Sequence, residues 1–320
     1  MDNVGRFIYL SEEMLTSLNV TTAESIESIE NVIRALADGE AWASPKSAIL
    51  IPDGRYFMST LAISSDPALL AVKSLVLNPK NTQRGLAQIN SVVTVLDGHT
   101  GLPVAVVDGN WVTAIRTAGL SAVAAKRMAR ADSKVVAFIG CGVQAHSHLQ
   151  AFSDLFPLTE VRAFGRGTTN RDLLCENAES RGYKAVSSAS GQDAIEGADL
   201  IVTSVTLSAT FEPFLDAGGL KPGAFAAVTD FARPWHWDSM KHLDRVIIDD
   251  IEQESTSESM VNPDLIKGDL RGLVTGKVVA RADEEEKNAF VFRGLSIGDL
   301  ALAGVAVRKA LQANVGAVIA

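Results

Sequence analysis

The stretch Val135 to Ala145, VVAFIGCGVQA, restricts the fold of this chain more than any other. An apolar run, Val135-Val136-Ala137-Phe138-Ile139, meets Gly140-Cys141-Gly142-Val143-Gln144-Ala145 and then a predicted helix, His146 to Leu155. A dinucleotide-binding βα unit needs a strand, a tight glycine turn and a helix in that order. The first glycine permits the turn, the second lets backbone approach a pyrophosphate, and a small third residue, here Ala145, lets the helix pack closely on the strand. The pyrophosphate would then lie on the exposed N–H groups of the helix N-terminus.

Strand-to-helix turns with two glycines also occur without a ligand, so the reading depends on whether further βα units succeed this one along the chain. Val161 to Phe164 reads as a second strand, Gln192 to Gly197 as a short helix, and Leu200-Ile201-Val202-Thr203-Ser204-Val205 as a buried strand. Ala224 to Val228 and Arg245 to Asp249 add two more apolar runs. This alternation predicts an α/β, Rossmann-type, doubly wound sheet. After the second strand stands Gly165-Arg166-Gly167-Thr168, with no acid to accept ribose hydroxyls. Arg166 there can pair a 2′-phosphate, which leans towards NADP, or stack on adenine, which leaves NAD open.

At 320 residues the chain predicts two domains. Phe7 to Leu10 reads as a strand, and Thr21 to Ala37 as a helix with Ile26, Ile29, Ile33 and Leu36 on one face. From Ser47 to Pro103 the pattern changes to short strands with Asp53-Gly54 and Asp97-Gly98 at turns, an α+β domain preceding the nucleotide domain. An alanine-rich helix is predicted from Ser121 to Met128, and an amphipathic one from Ile297 to Leu311 that returns to the first domain or meets a second subunit. The expected domains are therefore 1–115 with 302–320, and 116–301. Arg281 to Lys287, RADEEEK, reads as a solvated surface stretch.

The net charge of −9 argues against a nucleic-acid surface, and no apolar run is long enough to span a bilayer. The N-terminus, MDNVGRFIYLSEEM, carries acids where a signal peptide carries bases, so a cytoplasmic protein is expected. Cys141 and Cys175 are too few for a disulfide framework or a zinc site, and His146 and His148 point in different directions on one helix, so no metal is expected. Two cations stand out. Lys73 interrupts an apolar strand, where pattern alone slightly favours a solvent-facing side chain, because burying an unpaired ammonium is costly. Arg116, among small and apolar neighbours, reads equally as a partly buried carboxylate ligand or as a surface arginine at a helix start.

Together these segments resemble the ornithine cyclodeaminase and mu-crystallin family over nearly the whole chain. The landmarks are Val72-Lys73 followed by Asn78-Pro79-Lys80-Asn81, then Thr100-Gly101-Leu102-Pro103, Thr113-Ala114-Ile115-Arg116-Thr117-Ala118, the turn Gly140 to Ala145, and Phe290 to Asp299, FVFRGLSIGD. The resemblance implies an amino-acid or imino-acid oxidoreductase that uses a nicotinamide cofactor and forms a homodimer. It makes Lys73 the buried lysine at the substrate and Arg116 the carboxylate-binding arginine. Lys46, after Pro45, stands where the family has an arginine, and offers a point charge in place of a planar fork. Asp230 is the nearest match to the family's catalytic aspartate, although the usual run there is glycine-rich and the alignment needs a shift. Thr117, Gly140, Gly142, Val143, Gln144, Ala145, Arg166, Thr168, Ser204 and Val205 are the expected cofactor contacts.

The expected reaction is hydride transfer to an imine carbon beside a carboxylate, giving an amino acid. Arg116 and Lys46 would hold the carboxylate, Lys73 would polarise the reacting group, and Asp230 would exchange the proton on nitrogen, so that Asp230→Asn lowers turnover. Where the family shows Met-Pro-Ala, this chain has Met58-Ser59-Thr60, and Arg233 lies near Asp230. Two hydroxyls and another arginine suit a second acidic group, as in iminosuccinate. Two alternatives stand beside this: ammonia-releasing ornithine cyclodeamination on bound NAD, and a nucleotide-gated, crystallin-like binding protein without turnover.

Overall fold

The computed structural model describes residues 5–206, 211–255 and 258–320, so the first four residues of the N-terminal segment lie outside it. The chain forms two compact units, Met1–Arg116 with Leu295–Ala320, and Thr117–Gly294. In chain order the first stretch is β1 (Phe7–Leu10), α1 (Glu12–Ser17), α2 (Thr22–Asp38), β2 (Ala41–Ala43), β3 (Ser47–Leu50), β4 (Tyr56–Ser65), β5 (Ala68–Leu77), β6 (Ile89–Asp97), β7 (Pro103–Asp108) and α3 (Gly109–Met128). The second unit continues with β8 (Val135–Ile139), α4 (Val143–Leu155), β9 (Glu160–Phe164), α5 (Thr168–Ser180), β10 (Lys184–Ser187), α6 (Gly191–Ile195), β11 (Leu200–Thr203) and β12 (Phe225–Val228). It closes with β13 (Arg245–Ile248), α7 (Ile251–Ser255), β14 (Ile266–Asp269), α8 (Leu270–Val274) and β15 (Asn288–Val291), before α9 (Ser296–Ala313) and β16 (Ala317–Ile319) return to the first.

The first unit is a mixed sheet in the order β16-β1-β7-β6-β5-β4-β2, with β3 paired to β4. Helix α2 starts on a capping box, in which Thr21 accepts from the Glu24 N–H while Glu24 accepts from the Thr21 N–H, and it stops at Gly39 in the left-handed region. Thr60 of β4, Lys73 of β5 and Val93 of β6 lie in one cross-strand row. Their face is covered by α9, which packs on β4, β5 and α2.

The second unit is an all-parallel sheet in the order β10-β9-β8-β11-β12-β15-β13-β14. From the central β8 the order runs outward through β9 and β10 on one side and through β11 and β12 on the other. It therefore reverses between β8 and β11, and a doubly wound sheet opens a crevice at the carboxyl ends of such a pair. Both faces are covered, so the strands read as near-continuous apolar runs, and β11, β12 and β15 are fully buried.

Four expectations need correction. The helix expected from Ser121 begins at Gly109, because the Asp108 carboxylate accepts the Trp111 N–H at 2.8 Å and caps it, so Arg116 lies inside α3. The tail helix is not one-faced, since every residue from Ser296 to Val307 is buried. The second crossing falls at Leu295, because a boundary at 301/302 would cut through α9. Finally, Arg281 in the RADEEEK stretch is no solvated charge: it donates to the carbonyls of Met128, Gly223, Asp283, Glu284 and Glu286, tying the loop to the end of α3.

Candidate functional site

A cleft of about 630 Å³ opens in the second unit at the β8/β11 switch point. It is lined by the Gly140-Cys141-Gly142 turn, by Phe164 to Gly167 with Thr169 and Asn170, by Ser190 to Gln192, by Ser204 to Thr206, and by Phe211 and Phe214. The two glycines do different work. Gly140 has φ +93°, and a Cβ there would lie 2.5 Å from the Ser204 carbonyl oxygen, so only glycine fits. Gly142 is the N-cap of α4 and has no side chain to bond the first N–H groups, and a Cβ there would meet no atom within 4 Å. Uncapped N–H groups at the start of a long helix, with open space before them, are what a pyrophosphate requires. The residues present therefore fit a dinucleotide.

Of the expected contacts, Gly140, Gly142, Arg166, Ser204 and Val205 line the cleft. Ala145 is fully buried, Thr117 is buried on α3, and Val143 is exposed on the first turn of α4. Gln144 offers its carbonyl to His148 Nδ1 at 2.7 Å, while His148 Nε2 meets Ser121 Oγ at 2.8 Å, which ties α4 to α3. Burial pulls His148 down to about 4, so it is neutral and structural. Thr168 opens α5, but its neighbours Thr169 and Asn170 supply the lining. Phe211 and Phe214, 5.9 Å apart between centroids, add an aromatic wall that the sequence, irregular there, did not signal. Cys141 is buried, and desolvation pushes its thiol up to about 12, so it is inert packing in the turn.

Asp230 follows β12 and is buried. Its Oδ1 accepts from the Thr203 hydroxyl at 2.8 Å and its Oδ2 from the Val205 N–H at 3.0 Å. Burial pushes its carboxyl up to about 7 against these bonds. The next two residues, Phe231 and Ala232, have φ of 58° and 56°, a left-handed pair without glycine. Such residues cost of order 1–3 kcal/mol each and persist only when their surroundings hold them. Here Arg293 lies 5.8 Å from the Phe231 ring centroid and is held in turn by Glu254 at 2.8 Å.

In the first unit two hydrogen-bond donors, Lys73 and Thr60, and the Arg116 guanidinium converge on one carboxylate that the sequence did not single out as a site residue. Asp299 Oδ1 lies 2.7 Å from Lys73 Nζ and 3.2 Å from Arg116 Nε, and its Oδ2 accepts from the Thr60 hydroxyl at 3.2 Å. Lys73 is 1% exposed, so the solvent-facing reading suggested by pattern alone is wrong. Its burial is tolerated because Asp299 compensates the charge. Desolvation, opposed by Asp299 and reinforced by Arg116, brings Lys73 down to about 8. Arg116 is buried, and among the described residues neither its Nε, which meets Asp299 only as an ion pair, nor its Nη1 has a hydrogen-bond partner. Two cations against one carboxylate leave the cluster one positive charge in excess.

The remaining candidates fall elsewhere. Ser59 pairs with Ser74 and Ser47, and strand alternation turns it to the face opposite Thr60, Lys73 and Asp299, which corrects the idea of two hydroxyls at one site. Thr60 is the one that joins the cluster. Lys46 is half-buried and immediately precedes β3. Arg233 is exposed and lies 3.6 Å from Glu258.

A model of the ornithine cyclodeaminase/mu-crystallin family matches residues 8–314. An alanine dehydrogenase of Archaeoglobus fulgidus is 28% identical, over 98% of this chain and 98% of that protein. The structure of Thermococcus litoralis Δ(1)-pyrroline-2-carboxylate reductase in complex with NADH and L-proline is 26% identical, with a TM-score of 0.90 over 97% of this chain and 99% of that one. An archaeal alanine dehydrogenase dimer with bound NAD is 25% identical, with a TM-score of 0.86 over 98% and 99%.

Proposed function

The chain belongs to the ornithine cyclodeaminase/mu-crystallin family, and on that premise we propose that it is a nicotinamide-dependent reductase of imines that carry a neighbouring carboxylate. The observation that carries the proposal is the buried excess charge beside the unsatisfied Arg116 Nη1. A buried guanidinium nitrogen without a partner is a standing cost that a substrate carboxylate removes. When bound, a reduced nicotinamide supplies the hydride. Arg116 holds the carboxylate, and Lys73 polarises the imine nitrogen and gives it a proton. Asp299 keeps the two cations side by side.

The cluster has room in its charge balance for one carboxylate. With Ser59 turned away and Arg233 exposed, a second carboxylate, as in iminosuccinate, would rest on Lys46. We therefore propose imino acids with a single carboxylate, cyclic or formed from a 2-oxoacid and an amine. For the cofactor, Arg166, Thr169 and Asn170 with no acid among the described lining residues support NADPH over NADH. The apolar face opposite Lys73 presents Ile49, Leu61 and Val92 at 66, 40 and 38% exposure, which supports a homodimer covering it.

A panel of pyrroline-2-carboxylate, the imine of pyruvate and iminosuccinate, followed by loss of reduced-nicotinamide absorbance, tests this reading. The monocarboxylates are expected to react fastest, and Arg116→Ala to raise their KM by roughly 30- to 1000-fold, the loss of a buried charged contact. Ammonia release from ornithine without net absorbance change would replace reduction by cyclodeamination. The pH profile adds an independent check. Lys73 must be protonated to donate, and its value near 8 in the free chain means that kcat/KM is flat below that pH and falls about tenfold per pH unit above it. A profile without that limb removes Lys73 as the donor.

A further inference from the structure

We propose that Asp230 is a positioning residue, which holds the Ser204–Val205 wall of the cofactor cleft, and is not the group that exchanges the substrate proton. The inference rests on the cleft being the dinucleotide site. Both oxygens of Asp230 are engaged within its own unit, one by the Thr203 hydroxyl and one by the Val205 N–H, and the side chain is 3% exposed. These donors flank Ser204, whose carbonyl closes against Gly140, so the carboxylate sets where the turn from β11 lies beside the glycine turn. Ser204 and Val205 both line the cleft. On the other side of Asp230, the chain accepts two left-handed residues without glycine, with Phe231 pinned under Arg293. A turn this constrained places the carboxylate on one pair of donors and not in an adjustable position.

The two roles are separated by comparing Asp230→Asn with Asp230→Ala. An asparagine can keep both contacts, its amide oxygen accepting from Val205 and its amide nitrogen donating to the Thr203 hydroxyl oxygen, yet it cannot exchange a proton at neutral pH. Binding of NADH and of NADPH, titrated by fluorescence without substrate, is expected to weaken about tenfold or more in Asp230→Ala and by less than about threefold in Asp230→Asn. Turnover of pyrroline-2-carboxylate at saturating cofactor is expected to be at least tenfold higher in the asparagine variant than in the alanine one. Thr203→Val, which removes one donor and leaves the acid, is expected to weaken cofactor binding about three- to tenfold, and serves if Asp230→Ala does not fold. Equal loss of turnover in the two Asp230 variants, with unaltered cofactor affinity, makes Asp230 a proton donor and overturns the proposal. So does unaltered affinity in Thr203→Val. An unsubstituted chain that binds neither nucleotide overturns the cofactor reading itself, and with it this one.

Discussion

Asp299→Ala is expected to destabilise the first unit by about 3–5 kcal/mol, because it leaves Lys73 and Arg116 buried side by side with no counter-charge. The loss is read as a shift of the urea midpoint at constant slope. Desolvation and Arg116 both push Lys73 down, and Asp299 is what opposes them. In its absence Lys73 is neutral at neutral pH, so the alkaline limb of the reductase profile moves well below 8 and kcat/KM at neutral pH falls. The double variant Asp299→Ala, Lys73→Met replaces the buried amine, which without Asp299 must either give up its proton or stay charged beside Arg116, by an apolar side chain. It is expected to recover at least about 1 kcal/mol relative to Asp299→Ala alone, a coupling that a double-mutant cycle isolates. An Asp299→Ala protein within about 1 kcal/mol of the unsubstituted chain contradicts the cluster as a buried unit in which Asp299 holds the two cations together.

This acid also marks the limit of what the sequence could show. The nucleotide sheet was legible because β8, β11 and β12 are local apolar runs whose period and bounding turns identify them one at a time. The glycine turn was legible because φ and close approach restrict those positions to one residue type. Asp299 stands among apolar and small residues in Ser296 to Val307, and nothing in its neighbourhood along the chain names a partner more than 180 positions away. Burial of Lys73 and of Asp299 each looks prohibitive alone and becomes reasonable only when the two meet. Ser59 shows the converse. The hydroxyl was visible in the sequence, but its face was fixed by the register with Ser74, and one step along the strand separates it from Thr60. The start of α3 was missed because a helix propensity reading stops at Gly109-Asn110, where the Asp108 cap prevails.

The glycine turn yields the sharpest separation of folding from binding. Gly140→Ala must adopt a left-handed φ and bring its methyl to 2.5 Å from the Ser204 oxygen, in a wall that Asp230 holds through Val205. Strain and overpacking together are expected to cost about 2–4 kcal/mol, with cofactor binding lost through displacement of that wall. Gly142→Ala meets neither obstacle. Its φ of −85° suits any residue, and its methyl would enter open space. Alanine is a poorer N-cap than glycine, so stability is expected to fall by no more than about 1 kcal/mol. The same methyl stands where backbone must approach the pyrophosphate, so NADH and NADPH affinity is expected to fall about 10- to 100-fold, the worth of contacts from N–H groups to a charged ligand. Urea unfolding and nucleotide titration on the same two proteins distinguish the cases. A Gly142→Ala protein that keeps full affinity would place the dinucleotide somewhere other than this cleft. A Gly140→Ala protein as stable as the parent would mean that the Ser204 turn is free to retreat, and that Asp230 does not hold it.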